Sequence, residues 1–259
     1  MKRNRKKRLG GAMPPDKDLL QAVEWIREAK YLSAFTGAGV SVESNIPPFR
    51  GENGLWATYD PELFDISYFR ANPAKSWTLL KKLFYDTFRD AEPNEAHRVL
   101  ARLERRGMLK ALVTQNIDNL HHLAGSGNVI EYHGSVRELV CISCKKRRGA
   151  EPALLESLPP KCECGGVLKP DIVFFGEEIP IHALLNVEKT IEKTDVMLVV
   201  GTTGEVYPAA FVPIEAKRRG ARIIEVNVTP SSLSQDVSDI LLRGKATEVM
   251  ARIEAMLPA

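Results

Sequence analysis

Lys30-Tyr31-Leu32-Ser33-Ala34-Phe35 runs without a break into Thr36-Gly37-Ala38-Gly39. An apolar-weighted run of this length, ending on paired glycines, predicts a strand followed by a tight turn. The same event recurs along the chain. Leu109 to Thr114 leads into Gln115-Asn116-Ile117-Asp118, and Val129 to Tyr132 into His133-Gly134. Asp171 to Phe175 leads into Gly176, Asp195 to Val200 into Gly201-Thr202-Thr203-Gly204, and Ala221 to Val226 into Asn227. Helical spacing fills the intervals: Leu19 to Arg27 behind Asp16 as an N-cap, Glu95 to Arg106, His182 to Lys193, Pro213 to Arg219 ahead of Gly220, and Ala246 to Leu257. Strands alternating with helices predict an α/β fold with a doubly wound parallel sheet. Ligands of such sheets bind outside the carboxyl ends of the strands. Gly37, Gln115, His133, Gly201 and Asn227 stand there.

The glycine turn is informative by what it lacks. Gly37-Ala38-Gly39 begins like a G-x-G-x-x-G fingerprint, but the sixth position is Val42. Two close glycines still let backbone N–H groups approach a pyrophosphate, and the missing third argues against a hydride-transfer domain. An ordinary strand-to-helix turn is the bland alternative. Residues 40–60 hold Pro47, Pro48, Gly51, Asn53 and Gly54, a loop long enough to be functional. Within it Arg50 is a diphosphate clamp or a surface cation, and Phe49 stacks on a ring or fills core. Residues 61–92 read as short helices. His97 and His121 lie in helical patterns and read as structural, His122 and His182 as surface. His133 alone stands at a strand end before glycine.

All four cysteines, Cys141, Cys144, Cys162 and Cys164, fall in one short window, as C-x2-C and then C-x-C. Two close thiol pairs on a short connection predict a tetrahedral Zn(Cys)4 ribbon, and four thiolates leave no open position for catalysis. Gly165-Gly166 lets the backbone curl around the metal.

Composition narrows the class. Of 259 residues, 44% are hydrophobic and 27% charged, which excludes disorder, collagen and coiled coil. No apolar run approaches the ~20 residues of a membrane helix. The net charge is +3, but six cations lie in the first eight residues, so the remainder carries −3. Residues 1–12 therefore read as a basic flexible arm. The stretch behind it is no apolar signal segment, so a cytoplasmic location is expected. Nucleic acid is not an expected partner of the acidic remainder, except through the arm.

Read together, these segments resemble the sirtuin family. Gly37 to Gly51 resembles its cofactor loop, Thr114 to His121 with His133-Gly134 its catalytic segments, and Lys169 to Glu177 and Gly201-Thr202-Thr203 follow in the family's order, as does the cysteine quartet. The resemblance covers about residues 16–257. It implies an NAD-dependent protein lysine deacylase of prokaryotic type. The expected architecture is a Rossmann-like domain (13–42, 93–138 and 170–259) with a smaller domain of helical insertion and zinc ribbon (43–92 and 139–169). NAD is consumed as co-substrate, zinc is structural, and the products are nicotinamide, O-acyl-ADP-ribose and free lysine, formally both a transferase and a hydrolase outcome. Acyl-lysine proteins or peptides are the implied partners, with no membrane and a monomeric chain.

Carried over position by position, the resemblance makes His133 the general base on a ribose hydroxyl, with Asn116 and Asp118 also catalytic. Gln115, Asn116 and Asp118 hold the ribose and carboxamide, and Ile46 borders that pocket. Gly37, Ala38, Gly39, Ser41, Phe49 and Arg50 form the cofactor loop. Gly201, Thr202, Thr203 and Asn227 face the adenosine, with Ala246 nearby. Val173, Phe175 and Val206 meet the substrate, and the backbones of 174–177 and 204–207 would pair with an extended peptide. Cys141, Cys144, Cys162 and Cys164 are the metal ligands.

There are departures. Asn45 stands where the family usually has glycine, which predicts a left-handed asparagine. Glu205 and Val228 also differ from common choices. Members that prefer acidic acyl groups carry Tyr-x-x-Arg in the insertion. Here Tyr85 is followed by Phe88 at the third position, so acetyl or longer apolar acyl groups are expected. NAD hydrolysis, mono-ADP-ribosyl transfer and a zinc-ribbon nucleic-acid adaptor are the competing readings.

Overall fold

The computed structural model describes residues 16–50 and 54–258. The basic arm, the Asp16 side chain and Gly51 to Asn53 lie outside the described residues. The chain opens with α1 (Asp16–Glu28) and β1 (Leu32–Thr36). After the long loop come α2 (Ile66–Ala71), α3 (Pro73–Leu80) continued by a π-helical turn (Lys81–Asp86), and α4 (Glu95–Arg105). Then follow β2 (Leu109–Thr114), α5 (Leu120–Leu123), β3 (Val129–Glu131), β4 (Gly134–Cys141), β5 (Arg147–Gly149) and β6 (Leu168–Ile172). The last stretch holds α6 (Ile181–Lys193), β7 (Val196–Val200), α7 (Phe211–Arg218), β8 (Arg222–Asn227), β9 (Ile240–Arg243) and α8 (Ala246–Met256).

Six strands form a parallel sheet in the order β3-β2-β1-β7-β8-β9. The chain moves outward from β1 to one edge, then returns to β7 and moves to the other, the Rossmann order. The switch point therefore lies between β1 and β7, where Thr36 pairs with Val200. β1 and β7 are buried at every residue, as central parallel strands covered on both faces must be. α1, α4 and α8 bury Leu19, Val99, Leu103, Val249 and Ile253 against one face, and α6 and α7 bury Val187, Ile191, Val212 and Ala216 against the other.

The second sheet is antiparallel, in the order β5-β4-β6. The helical insertion and this ribbon share one core: Phe64, Phe69, Trp77, Leu80 and Phe84 pack with Leu139, Leu155, Leu168 and Phe174. Trp77 is fully buried, and its indole N–H donates to the Leu168 carbonyl at 2.7 Å. That bond satisfies the ring's one polar group where water cannot reach it.

One expected strand is displaced. The run read as Asp171 to Phe175 forms Leu168–Ile172 instead, at an edge of the ribbon sheet, where Pro170 is tolerated. Beyond Ile172 the backbone leaves the ladder: Val173 N–H donates to the His133 carbonyl, and Phe175 bridges to Asp65. Asn45 adopts the left-handed conformation expected of it, with φ 63°.

Candidate active site

The glycine turn after β1 is pressed against the turn after β7. Gly39 N–H donates to the Gly201 carbonyl at 2.8 Å, and Gly37 N–H to Val200 at 3.1 Å. A Cβ on Gly39 would lie 2.7 Å from Gly201 Cα, and Gly201 itself has φ 65°. Both positions therefore require glycine for close backbone approach. Ala38 lies on the open side of this contact, and among the described residues its N–H has no partner within the chain.

Beneath the turn lies a buried polar network. Ser41 Oγ donates to Asp118 Oδ2 at 2.7 Å and accepts from Asn116 Nδ2 at 3.1 Å. Asn116 Nδ2 also donates to the Gly37 carbonyl, and Asp118 Oδ1 accepts the Leu120 N–H. Burial pushes the Asp118 carboxyl up, opposed by these donors. On the far side Gln115 Nε2 donates to Thr202 Oγ1 at 3.0 Å, and Asn227 Nδ2 to the Thr202 carbonyl at 2.7 Å. Thr203 offers its carbonyl to Ser232. Ala246 packs in the core with Val40, at the start of α8, where Glu43 accepts from Thr247.

His97 and His121, read as structural, stand inside this network. Asn94 N–H donates to His97 Nδ1, so the neutral ring carries its proton on Nε2, which faces Ser41 Oγ at 3.4 Å. Thr36 hydroxyl donates to Thr114 Oγ1, so it accepts from His121 Nε2 at 2.9 Å. Burial lowers His97 to about 4 and holds His121 well below its ordinary value, so both rings are neutral.

His133 is held differently. Its Nδ1 lies 3.1 Å from the Gln115 carbonyl. A carbonyl can only accept, so Nδ1 carries the proton and Nε2 keeps its lone pair. Burial lowers its pKa, against the Gln115 carbonyl, which raises it. The result is a neutral imidazole with a free basic nitrogen.

Ala38, Ser41, Ile46, Pro47, Phe49, Asn116 and Asp118 line one pocket with Leu55, Leu83, Phe88 and Ile117. Its apolar wall belongs to a run of aromatic contacts. Trp56 lies 5.4 Å from Phe49, 4.9 Å from Phe64 and 6.1 Å from Phe175, and Phe84 lies 5.9 Å from Phe64 and 5.6 Å from Phe88. Sequence reasoning did not single out Trp56, Leu55 or Leu83, since an aromatic or leucine in an apolar pattern looks the same in core and in pocket. Arg50 points across the cleft to Glu205 at 3.9 Å, with both side chains half exposed. A roomier cavity, about 500 Å³, lies elsewhere, between α6, β3 and the ribbon, and none of the expected site residues lines it.

The two peptide-pairing segments differ. Phe174 spends its N–H on the Glu177 carboxylate and its C=O on Glu177 N–H, and Phe175 pairs with Phe64 and Ile66. At 174–175 both N–H groups are therefore already spent, and only the carbonyls could accept a further bond. Among the described residues, Glu205 and Tyr207 keep both backbone groups unpaired within the chain, and Val206 keeps its N–H.

The four cysteine sulfurs lie within 4.8 Å of one another, with Cys141 to Cys164 at 3.6 Å and Cys144 to Cys162 at 3.7 Å. Zinc bonds of about 2.3 Å in a tetrahedron place sulfurs ~3.8 Å apart, so the quartet fits that ion. The Cys144 backbone N–H holds the Cys141 thiol down to about 6, toward the thiolate a metal needs.

The profile of the Sir2 family matches residues 37–208. An NAD-dependent protein deacylase of Thermococcus kodakarensis is 45% identical over 240 residues, covering 90% of this chain and 93% of that one. The crystal structure of a Sir2 homolog–NAD complex superposes with a TM-score of 0.86 at 43% identity, over 95% of this chain and 94% of the other. A Sir2 variant with a deacetylated p53 peptide and 3′-O-acetyl ADP-ribose superposes with a TM-score of 0.86 at 34% identity, over 92% and 97%.

Proposed function

The chain belongs to the Sir2 family, and from that premise we propose that it removes acyl groups, acetyl favoured, from protein lysines with consumption of NAD. One observation carries the reading. His133 donates through Nδ1 to Gln115 on the cofactor side, and its carbonyl accepts Val173 N–H at 2.9 Å on the substrate side. A single histidine with a free Nε2 thus joins the two halves of the cleft.

NAD supplies an activated ribose anomeric carbon, with nicotinamide as its leaving group. His133 Nε2 takes the proton of a ribose hydroxyl, as a neutral imidazole can near neutral pH. Asn116 and Asp118, fixed by Ser41, orient the ribose and the carboxamide. The free N–H of Ala38 and the Arg50 guanidinium meet the diphosphate, for which Arg50 leaves Glu205. Gly201, Thr202, Thr203 and Asn227 face the adenosine. Val173, Phe175 and Val206 wall the acyl-lysine, and 205–207 offer backbone groups to an extended peptide. Zinc would be held by the four cysteines as structure alone. The division into a Rossmann-like domain (13–42, 93–138, 170–259) and a small domain (43–92, 139–169) is part of the proposal, supported by the separate core of insertion and ribbon. So is a cytoplasmic setting.

The test is incubation with NAD and matched acetyl-, succinyl- and unmodified lysine peptides, following nicotinamide and peptide mass. Acetyl-dependent nicotinamide release with loss of the acetyl mass is expected. Release without any peptide would move the reading to NAD hydrolysis or ADP-ribosyl transfer. Zinc chelation is expected to unfold the ribbon and abolish turnover, and a chelated protein that stays folded and active would remove the structural metal from the account.

A further inference from the structure

Lys169 is an ammonium in an unusual place. It lies on β6 with 5% of its side chain exposed, beside the zinc ribbon's core. A buried lysine is costly unless each N–H finds a partner. This one does: Nζ donates to the Ile172 carbonyl at 2.6 Å and to Glu177 Oε2 at 2.8 Å, and stands 4.5 Å over the Phe174 ring. The same Glu177 oxygen accepts Phe174 N–H at 3.0 Å. Glu177 N–H closes back on the Phe174 carbonyl. The turn from Ile172 to Glu177 is therefore a ring of hydrogen bonds with Lys169 at its centre.

The residues this ring grips alternate with the residues that face the cleft. Ile172, Phe174 and Glu177 are gripped. Val173, between the first two, binds the His133 carbonyl, and Phe175, beyond them, stands 48% exposed against Trp56.

We propose that Lys169 is a positioning residue for the acyl-lysine substrate, its ammonium fixing the turn that sets Val173 and Phe175 as the tunnel wall. The proposal rests on the deacylase reading. Glu177 is a quarter exposed. Without the ammonium it turns out to water, frees Phe174 N–H and loosens the wall, while the cofactor loop and the polar network, built on β1, β2 and β7, make no bond to this ring.

The experiment measures KM for acetyl-peptide and for NAD, each at saturating partner, in the parent, K169M, K169R and K169M/E177Q, with zinc content as the check on the ribbon. K169M is expected to raise the peptide KM by roughly tenfold and leave the NAD KM within about twofold, with zinc retained. K169R, which keeps the charge, is expected to bring the peptide KM back to within about threefold of the parent. Hydrogen exchange at the Phe174 amide is expected to quicken in K169M and not in K169R. An unchanged peptide KM in K169M, equal rises in both constants, or a K169R as poor as K169M overturns the positioning role. Should K169M fail to fold, K169M/E177Q, which removes both charges, is judged by the same criteria. A parent without acyl-dependent turnover instead fails the deacylase reading, and this proposal with it.

Discussion

The pocket between the glycine turn and the insertion has two walls built on opposite physics. On one side Ser41, Asn116 and Asp118 are fixed by bonds of 2.7 to 3.1 Å, backed by His97. On the other, Phe49, Leu55, Leu83 and Phe88 offer surface without direction. A buried polar group left unpaired costs about 1–3 kcal/mol, so the first wall tolerates one arrangement. Volume-conserving apolar swaps cost under about 1.5 kcal/mol, so the second tolerates several. The difference teaches where this protein can vary: the polar wall is locked in one arrangement, and the shape of the apolar wall is negotiable.

The steepest way to break that contrast is His133→Ala. Loss of a positioned base is expected to lower turnover by about 10²–10⁴-fold with the fold retained. Since burial places the His133 pKa below its ordinary value of 6.5, the parent's rate should already be at its plateau at neutral pH and fall only in more acid solution. An acid limb centred above 6.5 would refute that.

Next comes stability. His97, lowered to about 4, stays neutral in the folded protein while the unfolded chain's histidine takes up its proton near 6.5. Stability is full above 6.5 and lost as the pH falls toward 4, by about 3 kcal/mol from this group. Urea unfolding of His97→Gln should lack that share of the acid loss, and an unchanged pH slope would mean the ring is not buried neutral.

On the apolar wall the effects shrink. Phe88→Ala is expected to raise the preference for hexanoyl- over acetyl-lysine by about tenfold in kcat/KM, the scale of apolar pocket changes. A collapse of activity toward both substrates would show this wall to be as strict as the other. Smallest is Glu205→Gln. The pair with Arg50 is half exposed and long, so the KM for NAD should move less than about threefold, and a larger change would make the pair a gate.

Much of this was readable in the chain. Strand ends carrying Gly37, Gln115, Gly201 and Asn227 follow from periodicity, because a parallel strand buried on both faces must be apolar until it leaves the sheet, and His133 follows the short apolar run of the edge strand β3. What was not readable shares one cause. His97 and His121 sit at helical spacing, and nothing local says that their rings reach Ser41 and Thr36 across 56 and 85 residues. The run Ile172 to Phe175 reads as strand, yet a lysine upstream and a glutamate downstream curl it away. Arg50 meets Glu205 only because two loops face each other across the cleft. Local propensity carries no record of partners distant in sequence.

The shared core of insertion and ribbon has a consequence for the order in which the chain comes into being. Trp77 waits for a carbonyl that is 91 residues further on. At roughly 5–20 residues per second of synthesis, the aromatic face of the insertion stands in water for about 5–20 s before Leu168 exists. During that interval Phe64, Phe69, Trp77 and Phe84 have no ribbon to cover them. The four cysteines, close together in sequence, can gather a metal as soon as Cys164 emerges. The metal ligands are complete only four residues before Leu168, so the clasp and the cover for the greasy half become available together, at the end of the interval in which the insertion stands bare.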